Sequence, residues 1–190
     1  ELRLAGEHNL GLLAGGAEPV VFLEPSCYSV FVDEYRQLGL AGADGVAARC
    51  ALVEDLLLEL DDQHEWNAIP WASSSLLVAV HAHCHTKALA DAGNAVALLE
   101  RIPGVAVRCL DVGCCGMAGA FGMLEANRRL SREVAEPLVR AIRGLPDGAV
   151  VAAAGTSCRH QIEHLTGVEV LHPVEVVAAA LDFPAPDADS

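Results

Sequence analysis

Cysteine is the residue type in this chain whose placement asks for a chemical explanation. Seven occur among 190 residues. Cys84, the adjacent pair Cys114 and Cys115, and Cys158 each follow a short apolar run, at 76–80, 105–110 and 149–153. Such runs read as buried parallel strands. The carboxyl ends of parallel strands share one edge of the sheet, where ligands bind. Four thiols are therefore expected on one rim. Four thiolates at one locus suit a zinc ion or an iron–sulfur cluster. The spacing, 29 residues between Cys84 and Cys114 and 42 between Cys115 and Cys158, is unlike that of compact zinc ribbons or ferredoxin runs. Cys158 is expected at a helix N-terminus, where free N–H groups favour thiolate. Gly116, Gly119 and Gly122 allow the backbone to approach a bulky group and donate hydrogen bonds to its sulfurs. Cys50, on an apolar helical face, and Cys109, within a strand, read as buried structural residues.

The same spacing disfavours a disulfide framework. A vicinal pair bridges only with strained geometry, and no basic segment leads an apolar one at the start of the sequence. The cysteines read as intracellular thiols or metal ligands. His81, His83 and His85 alternate at a strand end and so share a side. One could ligate zinc; hydrogen bonding to cluster sulfur or to Asp111 is the stronger expectation. Lys87, Arg159 and His160 are placed to offset thiolate charge or to lie on a solvated helix face. No Ser-His-Asp set, Walker loop or GxGxxG fingerprint is present.

These groups need a scaffold to place them. Strands are expected at 19–23, 76–80, 105–110, 149–153 and 168–171. Helices are expected at 1–14, 27–38, 46–60, 86–100, 130–143, 157–165 and 173–181. The acidic residues of 46–60 read as a solvated face. Short apolar strands alternating with helices predict an α/β fold, a parallel sheet with helices on both faces. An internal repeat is also visible. The string Val20 to Cys27 matches Val151 to Cys158, each a strand, a turn, Ser-Cys and a helix. The expected organisation is a tandem repeat with its first copy truncated: residues 1–75, the C-terminal half of one unit; 76–182, a complete unit; and 183–190, an acidic tail. Residue 1 is Glu, which suggests a piece of a longer polypeptide.

Three motifs carry a resemblance. They are His83-Cys84-His85-x-Lys87, the string Asp111-x-Gly113-Cys114-Cys115-Gly116-Met117-Ala118-Gly119-x-Phe121-Gly122, and Ser157-Cys158-Arg159-x-Gln161-Ile162. Together they resemble the cysteine-rich CCG domain, above all the C-terminal iron–sulfur part of large FAD-linked oxidases. Those enzymes are similar to D-lactate and D-2-hydroxyglutarate dehydrogenases. Related modules occur in the iron–sulfur subunits of glycolate oxidase and anaerobic glycerol-3-phosphate dehydrogenase, and in heterodisulfide reductase. The resemblance runs from about residue 19 to 181. It implies a [4Fe–4S] cluster on Cys84, Cys114, Cys115 and Cys158, with zinc as the alternative, and with His83, His85 and Gly116 around the ligands. It implies Cys27 as the ligand of a first unit. It also implies FAD on a flavin-binding domain or subunit outside this chain, and electron transfer from a 2-hydroxy acid toward a quinone or cytochrome-type acceptor. Fuller family members end the last motif Cys-x-x-Cys. Here Gln161 takes that position, and Val30 takes it in the first copy, so a five-thiolate cluster is not expected. Two further functions stay open: a zinc-stabilised docking domain and a disulfide-reducing module.

Charge and composition narrow the partners. With 26 Asp and Glu against 12 Lys and Arg, the net charge is −14. That argues against nucleic acid and anionic membrane surfaces. Hydrophobic residues make up 53%, so disorder is excluded for most of the chain. The longest uncharged stretch, 66–86, contains Pro, Asn, Ser and His and falls short of the ~20 apolar residues of a spanning helix. The expected location is cytoplasmic, with peripheral contact at a membrane made through partners.

Overall fold

The computed structural model describes residues 1–63 and 66–182, without the side chains of 61–63 and 67. The first part of the chain runs α1 (Leu2–Leu13), β1 (Val20–Phe22), α2 (Pro25–Ser29), α3 (Tyr35–Gln37), α4 (Ala43–Ala47), β2 (Cys50–Leu52) and α5 (Val53–Gln63). The second runs β3 (Leu76–Val80), α6 (Cys84–Leu89), α7 (Asn94–Glu100), β4 (Val105–Cys109), α8 (Arg128–Arg143), β5 (Val150–Ala152), α9 (Thr156–Thr166), β6 (Val170–Leu171) and α10 (Pro173–Ala179). β1 and β2 form a parallel pair, and the other four strands a parallel sheet in the order β4-β3-β5-β6.

Side-chain alternation shows why this sheet is covered twice. Val78 and Val80 of β3 and Ala152 of β5 point to one face, where they pack with Leu99, Ile102 and Val176 from the α7 and α10 side. Ala79 and Val151 point to the other, packing with Leu138 and Ile142 of α8 and Ile162 of α9. Helices therefore flank both faces, as the buried apolar runs require. The two parts of the chain meet through helices: α5 packs on α7 and α10, and α2 on α6.

Two helices differ from expectation. The stretch 46–60 is not one helix. Cys50, Ala51 and Leu52 pair with Val20, Val21 and Phe22 as β2, and α5 begins only at Val53. Its apolar periodicity belongs to a short strand followed by a helix. The stretch 86–100 divides into α6 and α7. Asp91 Oδ1 accepts from Gly93 N at 2.8 Å between them, a side-chain turn that competes with helix continuation. The segment expected as helix from 27 to 38 is helical from Pro25 to Gln37, with a π-helical turn at Val30–Glu34 joining α2 to α3. Pro137 lies inside α8 on its exposed side. The acidic tail at 183–190 lies outside the described residues. Among the described residues, no helix is long and apolar enough to cross a membrane.

Candidate metal centre

The strand order places a topological switch beside β3. From β3 the chain moves through α6 and α7 to β4 on one side; from β5 it moves through α9 to β6 on the other. The crevice at the carboxyl ends of adjacent strands diverging in this way is where open α/β sheets bind ligands. The two segments bounding it are 81–85, in which Cys84 is the first residue of α6, and 153–158, which ends with Cys158 as the third of α9. They touch. A Cβ at Gly155 would fall on the His83 ring, so glycine is what allows the two segments to approach.

The loop after β4 supplies the vicinal pair. Gly116 N donates to Cys114 Sγ at 3.3 Å. Gly116 has φ 84° and lies against the Ser131 carbonyl of α8, where a Cβ would collide with backbone. This residue thus presses the cysteine loop onto α8 and leaves its N–H directed at sulfur.

Cys115 and Cys158 are buried, Cys114 is half-buried and Cys84 is exposed; all are free thiols. Cys158 hydrogen-bonds to the Cys115 sulfur. That bond, opposed by burial and aided by the Met117 N–H, lowers the Cys115 pKa to about 6. Cys158 is the member that keeps its proton, held up first by the bond to Cys115 and then by burial. Burial and then the charge of Cys114 push Cys84 up, with Cys115 adding to the effect. The four thiols are thus within electrostatic reach of one another. Among the described residues, no group of three or more His, Cys, Asp and Glu side chains is drawn tightly enough to hold a metal ion.

The surrounding residues divide. The His83 and His85 rings meet edge to face at 5.1 Å, and His83 Nδ1 accepts from His85 N at 3.1 Å, which occupies that nitrogen as the cap of α6. His81 is buried and lines a small cavity. Lys87 Nζ donates to Val112 O at 2.7 Å, tying α6 to the cysteine loop. Arg159 donates to Ala153 O and Ala154 O at 3.0 and 2.6 Å, a backbone clamp rather than a free counter-charge. Gln161 is buried and donates to Ser131 Oγ at 2.9 Å. Cys27, third residue of α2, is exposed and has no side-chain hydrogen bond among the described residues.

Four readings change. Cys158 lies at the start of α9 as expected, but the bond to Cys115 and burial keep it protonated where the helix N-terminus would favour thiolate. Cys109 is exposed, at the end of edge strand β4, because only β3 flanks that strand. Cys50 lies on β2, half-buried, and its thiol donates to Val46 O at 3.3 Å. Glu54, expected on a solvated face, is 4% exposed. The signal missed was the three-residue strand that moves the start of α5 to Val53.

Fold and site together define a three-layer α/β protein with four cysteines at the switch-point rim of its sheet. Comparison with known proteins finds similarity to parts of two kinds of dehydrogenase. The chain is 30% identical over 163 residues to a subunit of the anaerobic glycerol-3-phosphate dehydrogenase of Escherichia coli, a match covering 86% of this chain and 40% of the relative. It is 30% identical over 169 residues to D-2-hydroxyglutarate dehydrogenase of Pseudomonas putida, covering 88% of this chain and 16% of the relative. A 70-residue stretch is 37% identical to the D-2-hydroxyglutarate dehydrogenase of Haemophilus influenzae. No family model matches the chain. The chain is therefore similar to a minor part of longer dehydrogenase polypeptides.

Proposed function

We propose that this chain is the electron-transfer part of an FAD-linked 2-hydroxy acid dehydrogenase or oxidase, with an iron–sulfur centre held by Cys84, Cys114, Cys115 and Cys158. The observation that carries the reading is the gathering of four free thiols at the switch point, with Cys158 bonded to Cys115 and Gly116 N–H directed at Cys114. The donor set fits a [4Fe–4S] centre chemically: four sulfurs, backbone N–H groups beside them and a partly buried rim. When bound, such a centre supplies one-electron transfer. The protein's part is to hold the thiols as ligands, shield Cys115 and Cys158 from water, and leave the Cys84 side open to partners. The three segments must draw together from the arrangement described above to close on a metal.

The named relatives are dehydrogenases, one of them a subunit. Their likeness supports an oxidoreductase role; a flavin-bearing domain or subunit as electron donor and a quinone or cytochrome-type acceptor are part of the proposal, as the motif resemblance implies. Residues 1–75 would be the end of a first repeat, in which Cys27 occupies on α2 the third-residue position that Cys158 occupies on α9. A cytoplasmic location follows from the same reading.

The test is metal analysis after anaerobic purification from iron-replete cells. About four iron and four sulfide per chain is the expected result. Stoichiometric zinc with no iron would overturn the iron–sulfur assignment.

A further inference from the structure

A small cavity of about 20 Å³ lies between the start of α5 and the segment after β3, lined also by His83 and Ala154 of the two segments that bound the cysteine crevice. A single water needs roughly 10–15 Å³. Two side chains lining the cavity are almost wholly buried: Glu54, 4% exposed, and His81, 1% exposed. Glu54 Oε1 and His81 Nδ1 are both buried without a hydrogen-bond partner. Native proteins rarely leave such atoms unsatisfied, and two of them on residues that line one water-sized space call for a common partner. We infer that this cavity is a water and proton site, in which one internal water bridges Glu54 and His81 and Glu54 holds an exchangeable proton.

The neighbouring groups are already engaged, which leaves this pair to the water. Asp55 Oδ2 accepts from Leu52 N at 3.3 Å, and Oδ1 from Asn94 Nδ2 at 2.7 Å. Asp91 is turned to Gly93 N. His83 Nδ1 accepts from His85 N, and Lys87 reaches Val112 O. On α10, Glu175 accepts from His172 N. Among the described residues no cation is paired with Glu54. Burial, opposed by a hydrogen bond from the residue's own backbone N–H and reinforced by the charge of Asp55, raises the Glu54 pKa to about 7. Burial, then the charges of Lys87 and His83, lower that of His81 to about 4. Near pH 7 the carboxyl is about half protonated while His81 stays neutral, so a proton held by the pair resides on the carboxyl, and the imidazole accepts from the water. The site joins the β1–β2 part of the chain to the end of β3.

The test uses the full chain, metal-free, with carbon-13-labelled glutamate carboxyls and magnetic resonance detection. One carboxyl is expected to titrate with a midpoint near 7, and to disappear in Glu54→Gln. A long-lived water is expected beside the His81 ring in the parent chain and in Glu54→Gln, and is expected to be lost in Glu54→Leu. A Glu54 midpoint at the ordinary 4.5 overturns the proposal, as does the absence of a resident water beside His81 in the parent chain. Both decisive measurements are made on the unaltered protein, so they stand even if a variant fails to fold.

Discussion

Glu24 and Thr156 join the two parts of the chain across 132 residues: Glu24 Oε2 accepts from Thr156 N at 2.7 Å, at the first turn of α9. The other oxygen, Oε1, accepts from Ser26 N at 3.1 Å and caps α2. One carboxylate thus serves the starts of two helices, each carrying a cysteine as its third residue. The charge also suits both N-termini.

The first prediction concerns this carboxylate. Burial raises its pKa, but the N–H groups of Thr156 and Ser26 outweigh burial, and the net shift is downward from 4.5. A depressed folded pKa contributes stability that is present above the unfolded value and lost as pH falls through the folded one. Denaturant unfolding should therefore show a loss of stability below about pH 4.5 in the parent. Glu24→Gln should flatten that dependence and cost about 1 kcal/mol at neutral pH. An unchanged acid limb in the variant would refute the assignment.

Gly116 supplies a second prediction. Its φ of 84° and the Ser131 carbonyl leave no room for a Cβ, and backbone cannot move aside as a side-chain tip can. Gly116→Ala should cost about 3 kcal/mol or more, read by thermal unfolding. Gly119→Ala also has a positive φ, 63°, but meets open space, and should cost less, about 1 kcal/mol.

At Gln161 the prediction concerns an unmet hydrogen bond. Gln161→Leu would leave Ser131 Oγ without its partner inside the α8–α9 contact. A cost of about 1–3 kcal/mol is expected from denaturant titration. The double variant with Ser131→Ala should recover part of that loss.

Metal binding gives a fourth. Cys84→Ser, Cys114→Ser, Cys115→Ser and Cys158→Ser should each lower metal affinity by at least about tenfold, measured by retained iron after chelator challenge. Cys50→Ser and Cys109→Ser should retain parental iron. Stripping the metal should lower the melting temperature, because a ligand bound only to the folded state stabilises it. Equal iron in all six variants would remove these thiols from the site.

The four thiols were legible in the sequence because each follows an apolar run of strand length, and parallel strands bring their carboxyl ends to one edge. The double cover of the sheet was legible for the same reason: runs such as Leu76–Val80 are apolar on both alternating faces. β2 was not legible. Three residues have no periodicity of their own, and Cys50–Leu52 becomes a strand only by pairing with Val20–Phe22. Because β2 has no local signature, neither the start of α5 at Val53 nor the burial of Glu54 can be read from the string.

By itself, then, the sequence determined the α/β alternation and the cysteine positions at strand ends, because hydrophobic period and local turn chemistry act over a few residues. Tertiary structure alone decided which sulfur bonds which, with Cys158 on Cys115. It also decided that Glu24 caps a helix 132 residues away, and that Glu54 and His81 line one small cavity. Those outcomes depend on how separate elements dock, and docking is set by burial and hydrogen bonding summed over the whole core rather than by any local string.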